Sequence, residues 1–224
     1  MKKLIITALI LSIYLAAFAA NVALLSAVKG KVDLTRSSKV AKVKLGDYLQ
    51  NNDEIRTGGE SFAAYKYVDG STNIKVFSNS VVKVSATSSG KTLVKKATIS
   101  KGSVFSSIKP NTGTYSMQTP TTVASVKGTG FLTKITKDKQ SMFVVTEGEV
   151  TLKILNESQT VSVNAGKTAI VEADGRYEVR QSTPEDLSEI ELAEIESSRA
   201  RDNKTLRIPM VDPSGRTRYI EIKY

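Results

Sequence analysis

Two stretches decide the fold of this chain: Phe131-Leu132-Thr133-Lys134-Ile135 and Val150-Thr151-Leu152-Lys153-Ile154. In the first, Phe131, Thr133 and Ile135 fall on one side, Leu132 and Lys134 on the other. In the second, Val150, Leu152 and Ile154 oppose Thr151 and Lys153. Successive side chains of extended backbone point to opposite faces, so period-two alternation of branched and aromatic residues predicts half-buried strands, one face apolar and the other wet. Ile74 and Val76, Val82 and Val84, Val104, and Val161 and Val163 repeat the pattern. A contiguous inward layer can be assembled from many such short strands.

Each deciding strand follows a glycine: Val126-Lys127-Gly128-Thr129-Gly130 precedes the first and Glu147-Gly148-Glu149 the second. Lys29-Gly30-Lys31-Val32, Lys101-Gly102-Ser103-Val104 and Ala165-Gly166-Lys167 have the same layout. Gly102, Gly128, Gly148 and Gly166 are spaced 26, 20 and 18 residues apart. This suits a stack of strand-turn-strand layers. The uneven spacing argues against a strict solenoid and leaves a β-sandwich open. The expected class is all-β from Val22 to about Val179, either a layered, solenoid-like β roll or a β-sandwich of short strands. Gly and Asn supply its turns.

Composition shifts after Val179. Thr183-Pro184-Glu185-Asp186 reads as a helix start, with Thr183 capping, Pro184 in the first turn and two acids facing the positive end of the dipole. Leu187, Ile190 and Ala193 recur at helical spacing, with Arg199 and Arg201 at the negative end. The expected helix runs from Pro184 to Arg201. Its carboxylates Glu189, Glu191, Glu194 and Glu196 make it acidic, either solvated over a weak apolar stripe or bound to a partner. The tail from Leu206 to Tyr224 reads as a hairpin turning at Asp212-Pro213-Ser214-Gly215. It would pair with an edge of the main sheet or remain available to another chain.

At the other end, Met1-Lys2-Lys3 precedes an apolar run to Ala20 that ends in Ala17-Phe18-Ala19, the layout of a signal peptide cleaved after Ala19. An uncleaved anchor is the alternative, since Val22 to Val28 extends the apolar character. No second stretch approaches the ~18 apolar residues of a span. The expected consequence is a periplasmic or extracellular protein whose membrane contact is transient and confined to the signal peptide.

The chain has 32 basic and 22 acidic residues, and loss of Lys2 and Lys3 leaves 30 against 22. Lys39, Lys42, Lys44, Lys95, Lys96, Lys101, Lys109, Lys134, Lys137 and Lys139 alternate with apolar residues, as on a solvated sheet face. Such a balance favours anionic neighbours such as lipid headgroups, lipopolysaccharide or acidic wall polymers. Nucleic acid is not expected, because export separates it from the chain and no recognition helix or stacking motif is present.

The same residues resemble the FecR domain, found in envelope proteins that relay signals to sigma factors. The ordered elements are Asp69-Gly70-Ser71, Gly102 before Val104, Thr119-Pro120, Lys127-Gly128-Thr129 with Phe131, Glu147-Gly148-Glu149-Val150 and Ala165-Gly166. The resemblance covers roughly Asp53 to Val171, with Leu45-Gly46-Asp47 and Ile55-Arg56-Thr57 similar to the opening strands. Lys127 stands where the family usually has arginine, replacing a planar multi-donor group by a point charge. Gly130 stands where a larger residue is common. The resemblance implies the extracytoplasmic fold and an interaction role. With three residues before the apolar run, the cytoplasmic anti-sigma segment of such regulators is not expected here. The expected divisions are a signal peptide (1–19), a FecR-type β domain (20–180), an acidic helix (181–203) and a C-terminal β-hairpin (204–224).

With no histidine and no cysteine, imidazole bases, thiol nucleophiles and soft-metal sites are not expected. Glu147 and Glu149 project from one face of a strand and are weighed as a glycosidase pair or calcium ligands. They read better as exposed acids flanking a turn glycine, since no Asp-rich loop accompanies them. Gly128-Thr129-Gly130 lacks the Gly-Lys-Ser/Thr ending of a phosphate loop and leads into a strand. Phe131 and Val150 read as core. The expectation is a non-enzymatic binding or signalling module of the bacterial envelope, without a cofactor, whose partner is an envelope protein or anionic polymer. A self-associating structural component and a carboxylate-dependent glycan-acting enzyme are the alternatives. Oligomeric state stays open.

Overall fold

The computed structural model describes residues 20–89, 92–155, 157, 159–202, 205–211 and 217–223. The signal peptide expected over 1–19 and the turn expected at Asp212-Pro213-Ser214-Gly215 lie outside the described residues.

The chain forms β1 (Asn21–Lys29), β2 (Val32–Arg36), β3 (Lys39–Lys42), β4 (Tyr48–Gln50), β5 (Glu54–Thr57), β6 (Phe62–Tyr67), β7 (Thr72–Val76), β8 (Val81–Ser89) and β9 (Thr92–Ile108). There follow β10 (Tyr115–Gln118), β11 (Thr122–Val126), β12 (Gly130–Ile135), β13 (Ser141–Glu147), β14 (Glu149–Ile154), β15 (Thr160–Asn164), β16 (Lys167–Val171) and β17 (Tyr177–Gln181). Helix α1 (Pro184–Asp202), β18 (Thr205–Val211) and β19 (Thr217–Lys223) complete the described elements.

Strand pairing sorts β1–β17 into two layers. The front layer runs β4-β1-β6-β7-β9-β12-β13-β16-β17. The back layer runs β3-β2-β5-β8-β9-β10-β11-β14-β15. The long β9 belongs to both, its residues up to Lys101 pairing in the back layer and those from Gly102 in the front, so hydrogen bonding is continuous through all 17 strands. All pairings are antiparallel except β9 with β10. From β10 onward, hairpins fall alternately in the back and front layers. The fold is therefore all-β with a C-terminal helix, as the alternation predicts, and takes a form between the two expected ones: a two-layer roll whose layers face each other like a sandwich.

The glycine quasi-repeat marks the places where the chain changes layer. Gly30, Gly102, Gly128, Gly148 and Gly166 all have positive φ and sit at such crossings. At Gly102, where β9 passes between layers, a Cβ would stand 2.2 Å from Ser80 Oγ. No other residue fits there, because the backbone conformation and the space both exclude a side chain.

Between the layers lies one apolar core to which both contribute: Tyr65, Tyr67, Ile74 and Phe131 from the front, Val82, Ala97, Tyr115 and Val150 from the back. Aromatic rings bridge it, with Tyr67 and Tyr115 6.4 Å apart between centroids and Tyr115 and Phe131 6.5 Å apart. Such edge-on and tilted pairs are the favoured geometry.

The front layer departs from the simple alternation. Leu132, expected on a wet face, is buried in a second cluster with Ala27, Phe62, Ala64, Phe77 and Val144, against which Phe105, Met142 and Ile190 pack. Ile190 belongs to α1, so the helix covers this part of the outer face of the front layer. At ~1.5 Å per residue, its 19 residues match the width of about six strands at ~4.8 Å each. The helix reaches from its anchor at β16 and β17 to β6 and β1.

The helix forms where its cap, proline and acids predict. Of its expected apolar stripe, Ile190 packs on the sheet, Leu187 is 44% exposed, and the Ala193 side chain lies outside the described residues. Polar ties add to this contact. Among the described residues, no helix is long and apolar enough to cross a membrane. β18 and β19 form their own two-stranded sheet, which pairs with neither layer.

Candidate functional site

The motif residues that carry the FecR resemblance fall into two groups in space. The first is built on the β6–β7 hairpin. Asp69 Oδ1 accepts hydrogen bonds from the Ser71 amide at 3.1 Å and the Ser71 hydroxyl at 2.8 Å, which closes the Asp69-Gly70-Ser71 turn on itself. Gly70 has φ 68° in that turn.

Lys95, expected on the solvated sheet face, is instead fully buried beneath this turn. Its Nζ donates to Asp69 Oδ2 at 2.6 Å, Ser71 Oγ at 2.7 Å and the Thr112 carbonyl at 2.8 Å, so all three ammonium protons are used. Burial alone would raise the Asp69 carboxyl, but hydrogen bonds from Lys95 and Ser71 outweigh it and hold the group below the usual carboxylate range. Lys95 thus links the hairpin turn to the connection between β9 and β10.

The second group is a column of stacked crossings. Gly128 lies so close to the β9–β10 connection that a Cβ would stand 2.8 Å from Pro110 Cα, and a Cβ on Gly148 would stand 2.6 Å from the Gly128 carbonyl oxygen. The Thr129 carbonyl accepts from the Ile108 amide at 3.0 Å, and Thr129 Oγ1 donates to the Glu149 carbonyl at 3.2 Å. The Gly148 carbonyl accepts from the Ala165 amide at 2.9 Å, bringing in the Ala165-Gly166 turn. Phe131 and Val150, one strand step past these turns, are fully buried in the inter-layer core.

Lys127, Glu147 and Glu149 remain exposed at the surface of the column. Lys127, Gly128, Gly148 and Glu149 line a cleft of about 400 Å³ together with Thr114, Ser125, Val126 and Thr151. A cation and an anion face a common space there, beside a strand-rich polar surface. Glu149 Oε1 accepts from Ser162 at 2.9 Å. Gly102 belongs to neither group and stands at the crossing within β9.

The sequence names the Thr183 cap and the acids Asp186 and Glu189 but not their partners, and it does not single out the Arg36–Asp53 pair. Arg36 grips the buried Asp53 through Nε to Oδ1 at 2.9 Å and Nη2 to Oδ2 at 2.6 Å, tying β2 to the start of β5. Glu189 of α1 accepts from Ser103 Oγ at 2.7 Å and Lys134 Nζ at 2.6 Å. Asp186 receives Arg180 Nη1 at 2.5 Å, Thr168 Oγ1 at 2.9 Å and the Thr183 amide at 2.9 Å. The Asp186 amide in turn reaches Thr183 Oγ1 at 3.3 Å, a reciprocal cap with aspartate in the glutamate role. The hydrogen bond from Arg180 is the main cause that holds the Asp186 carboxyl down at about 2.

Comparison with known proteins places this geometry. The family model described as "FecR protein" matches residues 53–151, a stretch that includes the Asp69 turn, buried Lys95 and the Gly128–Gly148 contact. Two crystal structures, each of a "putative anti-sigma factor" from Parabacteroides distasonis ATCC 8503, share the fold at 14% identity. One superposes with a TM-score of 0.51 over 60% of this chain and 62% of its own, so the match spans less than two thirds of that protein. The other has a TM-score of 0.52 over 76% of this chain and 84% of its own. At that identity the likeness is one of fold. No curated protein matches the chain in sequence. The stretch matched by the FecR family model, residues 53–151, is thus the one that holds the closed Asp69 turn, the buried Lys95 and the Gly128–Gly148 contact, within a fold shared with both crystal structures.

Proposed function

We propose that the protein is an exported, non-enzymatic FecR-type module of the cell envelope that takes part in signalling by binding a protein partner. The observation that carries this reading is the location of the family motif. Its buried members, Ser71, Thr129, Phe131 and Val150, lock the two layers together, while its charged members Lys127 and Glu149 line the 400 Å³ cleft on the crossing column. Residues arranged in this way present a fixed polar surface to a partner, and opposed charges at the rim of such a surface select orientation and speed encounter. Export rests on the leader-like sequence before Ala20.

Two measurements test it. Fractionation with mass determination of the purified chain is expected to find it outside the cytosol, starting at Ala20 or retaining the leader as an anchor. Co-purification from envelope extract is expected to retain a defined protein with the native chain and to lose it with the Lys127→Glu, Glu149→Lys exchange. Cytosolic recovery of the chain, or identical capture by native and exchanged forms, overturns the reading.

One observation favours a second reading. β18 and β19 make a two-stranded sheet paired with neither layer, and an isolated hairpin is marginal in water. Self-association through this hairpin predicts oligomers in sedimentation that vanish on deletion of 204–224.

A further inference from the structure

A separate depression of about 250 Å³ opens on the outer side of the front layer and shares no lining residue with the 400 Å³ cleft. Lys66 of β6 lies directly opposite Asn73 of β7, and Asn73 opposite Ser107 of β9. Their side chains form one row across three strands, at the ~4.8 Å strand spacing. Ser26 joins the row from β1, at the irregularity between Leu25 and Ala27 where the register shifts.

Lys109 closes the depression from the end of β9. Its backbone amide donates to the Ser71 carbonyl at 2.9 Å, which holds it against the Asp69-Gly70-Ser71 turn. Gly70 and Ser71 complete the lining. The floor beneath is the rigid inter-layer core, with Tyr65, Tyr67, Ile74 and Ser106 all buried.

Two of the residues that line this place are lysines and none is acidic. Lys66 and Lys109 are exposed, and neither ammonium has a carboxylate partner among the described residues. The nearby acid in the turn, Asp69, is already engaged by Lys95 and Ser71. What remains are two free cations, the Asn73 amide and the hydroxyls of Ser26 and Ser107 around a concave space. Charged and neutral donors placed around one concavity by four strands suit a compact anion with oxygens in three dimensions, since a planar carboxylate would leave several of them unmatched.

We propose that this cleft is a phosphate-binding site, with Lys66 and Lys109 supplying the charge and Asn73, Ser26 and Ser107 the orientation. The site is independent of the protein-binding role proposed above and would stand if that role failed. Its ligand is the phosphate group itself, carried either by a small soluble phosphate or by a phospholipid headgroup.

The test uses the full chain in two arms. In the first, inorganic phosphate is titrated calorimetrically at low ionic strength. In the second, the chain is sedimented with phosphatidylglycerol vesicles and with phosphatidylcholine vesicles. Binding in at least one arm is expected to weaken about tenfold or more in Lys66→Glu, Lys109→Glu and to fall steeply with salt, because exposed charges are screened within ~8 Å at physiological ionic strength. Lys39→Glu, Lys42→Glu on β3 of the back layer serves as the control of equal charge change and is expected to bind as the native chain does.

Lys66→Gln, Lys109→Gln removes charge without inverting it, and unchanged circular dichroism in either double variant confines the loss to the site. Phosphate binding without vesicle capture identifies a soluble ligand; capture of anionic vesicles alone identifies a headgroup. No binding in either arm, or an equal effect of the Lys39, Lys42 control, overturns the proposal.

Discussion

Replacing Asp186 by asparagine tests how α1 is held. The helix covers part of the outer face of the front layer, where Ile190 packs, and its attachment should depend also on the carboxylate that joins Arg180, Thr168 and the Thr183 amide. The carboxyl is held down at about 2, the first cause being the hydrogen bond from Arg180. Holding it there corresponds to a few kcal/mol at ~1.36 kcal/mol for each tenfold change in proton affinity. The Asp186 side chain is only 6% exposed but Arg180 is 31% exposed, so solvent screening reduces the expected contribution to about 1–2 kcal/mol. Asparagine keeps an oxygen for the Thr183 amide, so the substitution isolates the ionic part.

A carboxyl whose pKa is lower in the folded chain stabilises fully above its unfolded value and loses that contribution as pH falls from about 4 through about 2. Amide hydrogen exchange of residues 184–202 between pH 5 and pH 2, referenced to β12 and β13, measures it directly. The native chain is expected to lose protection in the helix before the core strands, while Asp186→Asn is already less protected at pH 5 and changes less on acidification. Indistinguishable helix protection in the two chains at pH 5, or an identical acid response, would refute the anchoring role.

Lys95→Met strands the Asp69 carboxylate, Ser71 Oγ and the Thr112 carbonyl and is expected to cost about 2–4 kcal/mol in urea denaturation. Adding Asp69→Asn should recover a large part, and an equal loss in single and double variants would show that the pair is not coupled. Phe131→Ala is expected to cost ~3–5 kcal/mol as a cavity between Tyr115 and the core; a loss under ~1 kcal/mol would place Phe131 outside the core. Gly148 and Gly166 share the left-handed conformation at φ 73° and 80°, but a Cβ at Gly148 meets the Gly128 carbonyl at 2.6 Å whereas one at Gly166 meets nothing within 4 Å. Gly148→Ala is therefore expected to cost about 2–3 kcal/mol and Gly166→Ala about 1 kcal/mol in thermal unfolding. Equal costs would show that stacking of the crossings contributes nothing.

The layers were legible because most strands bury one face, and burial of one face writes a two-residue period into the sequence. The glycines were legible as a repeat, but not as layer crossings, since a positive φ says that the chain turns and not where it goes next. The covered part of the front layer's outer face also leaves a signal in the sequence. Phe62-Ala63-Ala64-Tyr65 does not alternate, and Leu132, Val144 and Phe105 are apolar at positions of outward parity. A strand apolar on both sides is one that something covers. The identity of the cover is less legible, because α1 contributes Ile190 and two carboxylates, and carboxylates on a helix look alike whether they meet solvent or Lys134.

The motif divides in the same way. Phe131 and Val150 announced their burial by parity, and so did Lys95, which shares its parity with the buried Ala97 and Ile99. Its charge masked the signal, because a lysine among alternating residues ordinarily faces water. A lysine at inward parity requires a carboxylate partner, and Asp69, in a tight turn next to the family's Gly-Ser, is placed to be one. The partner becomes visible only when β9 is paired beside β10 and the β6–β7 turn closes over it, contacts that join residues 26 apart in sequence. The buried Lys95–Asp69 pair ties that turn to the β9–β10 connection, and the phosphate cleft opens against the other side of the same turn. The free charges of Lys66 and Lys109 then stand on a scaffold whose own acid is already neutralised, which is the condition for the cleft to attract an anion from outside.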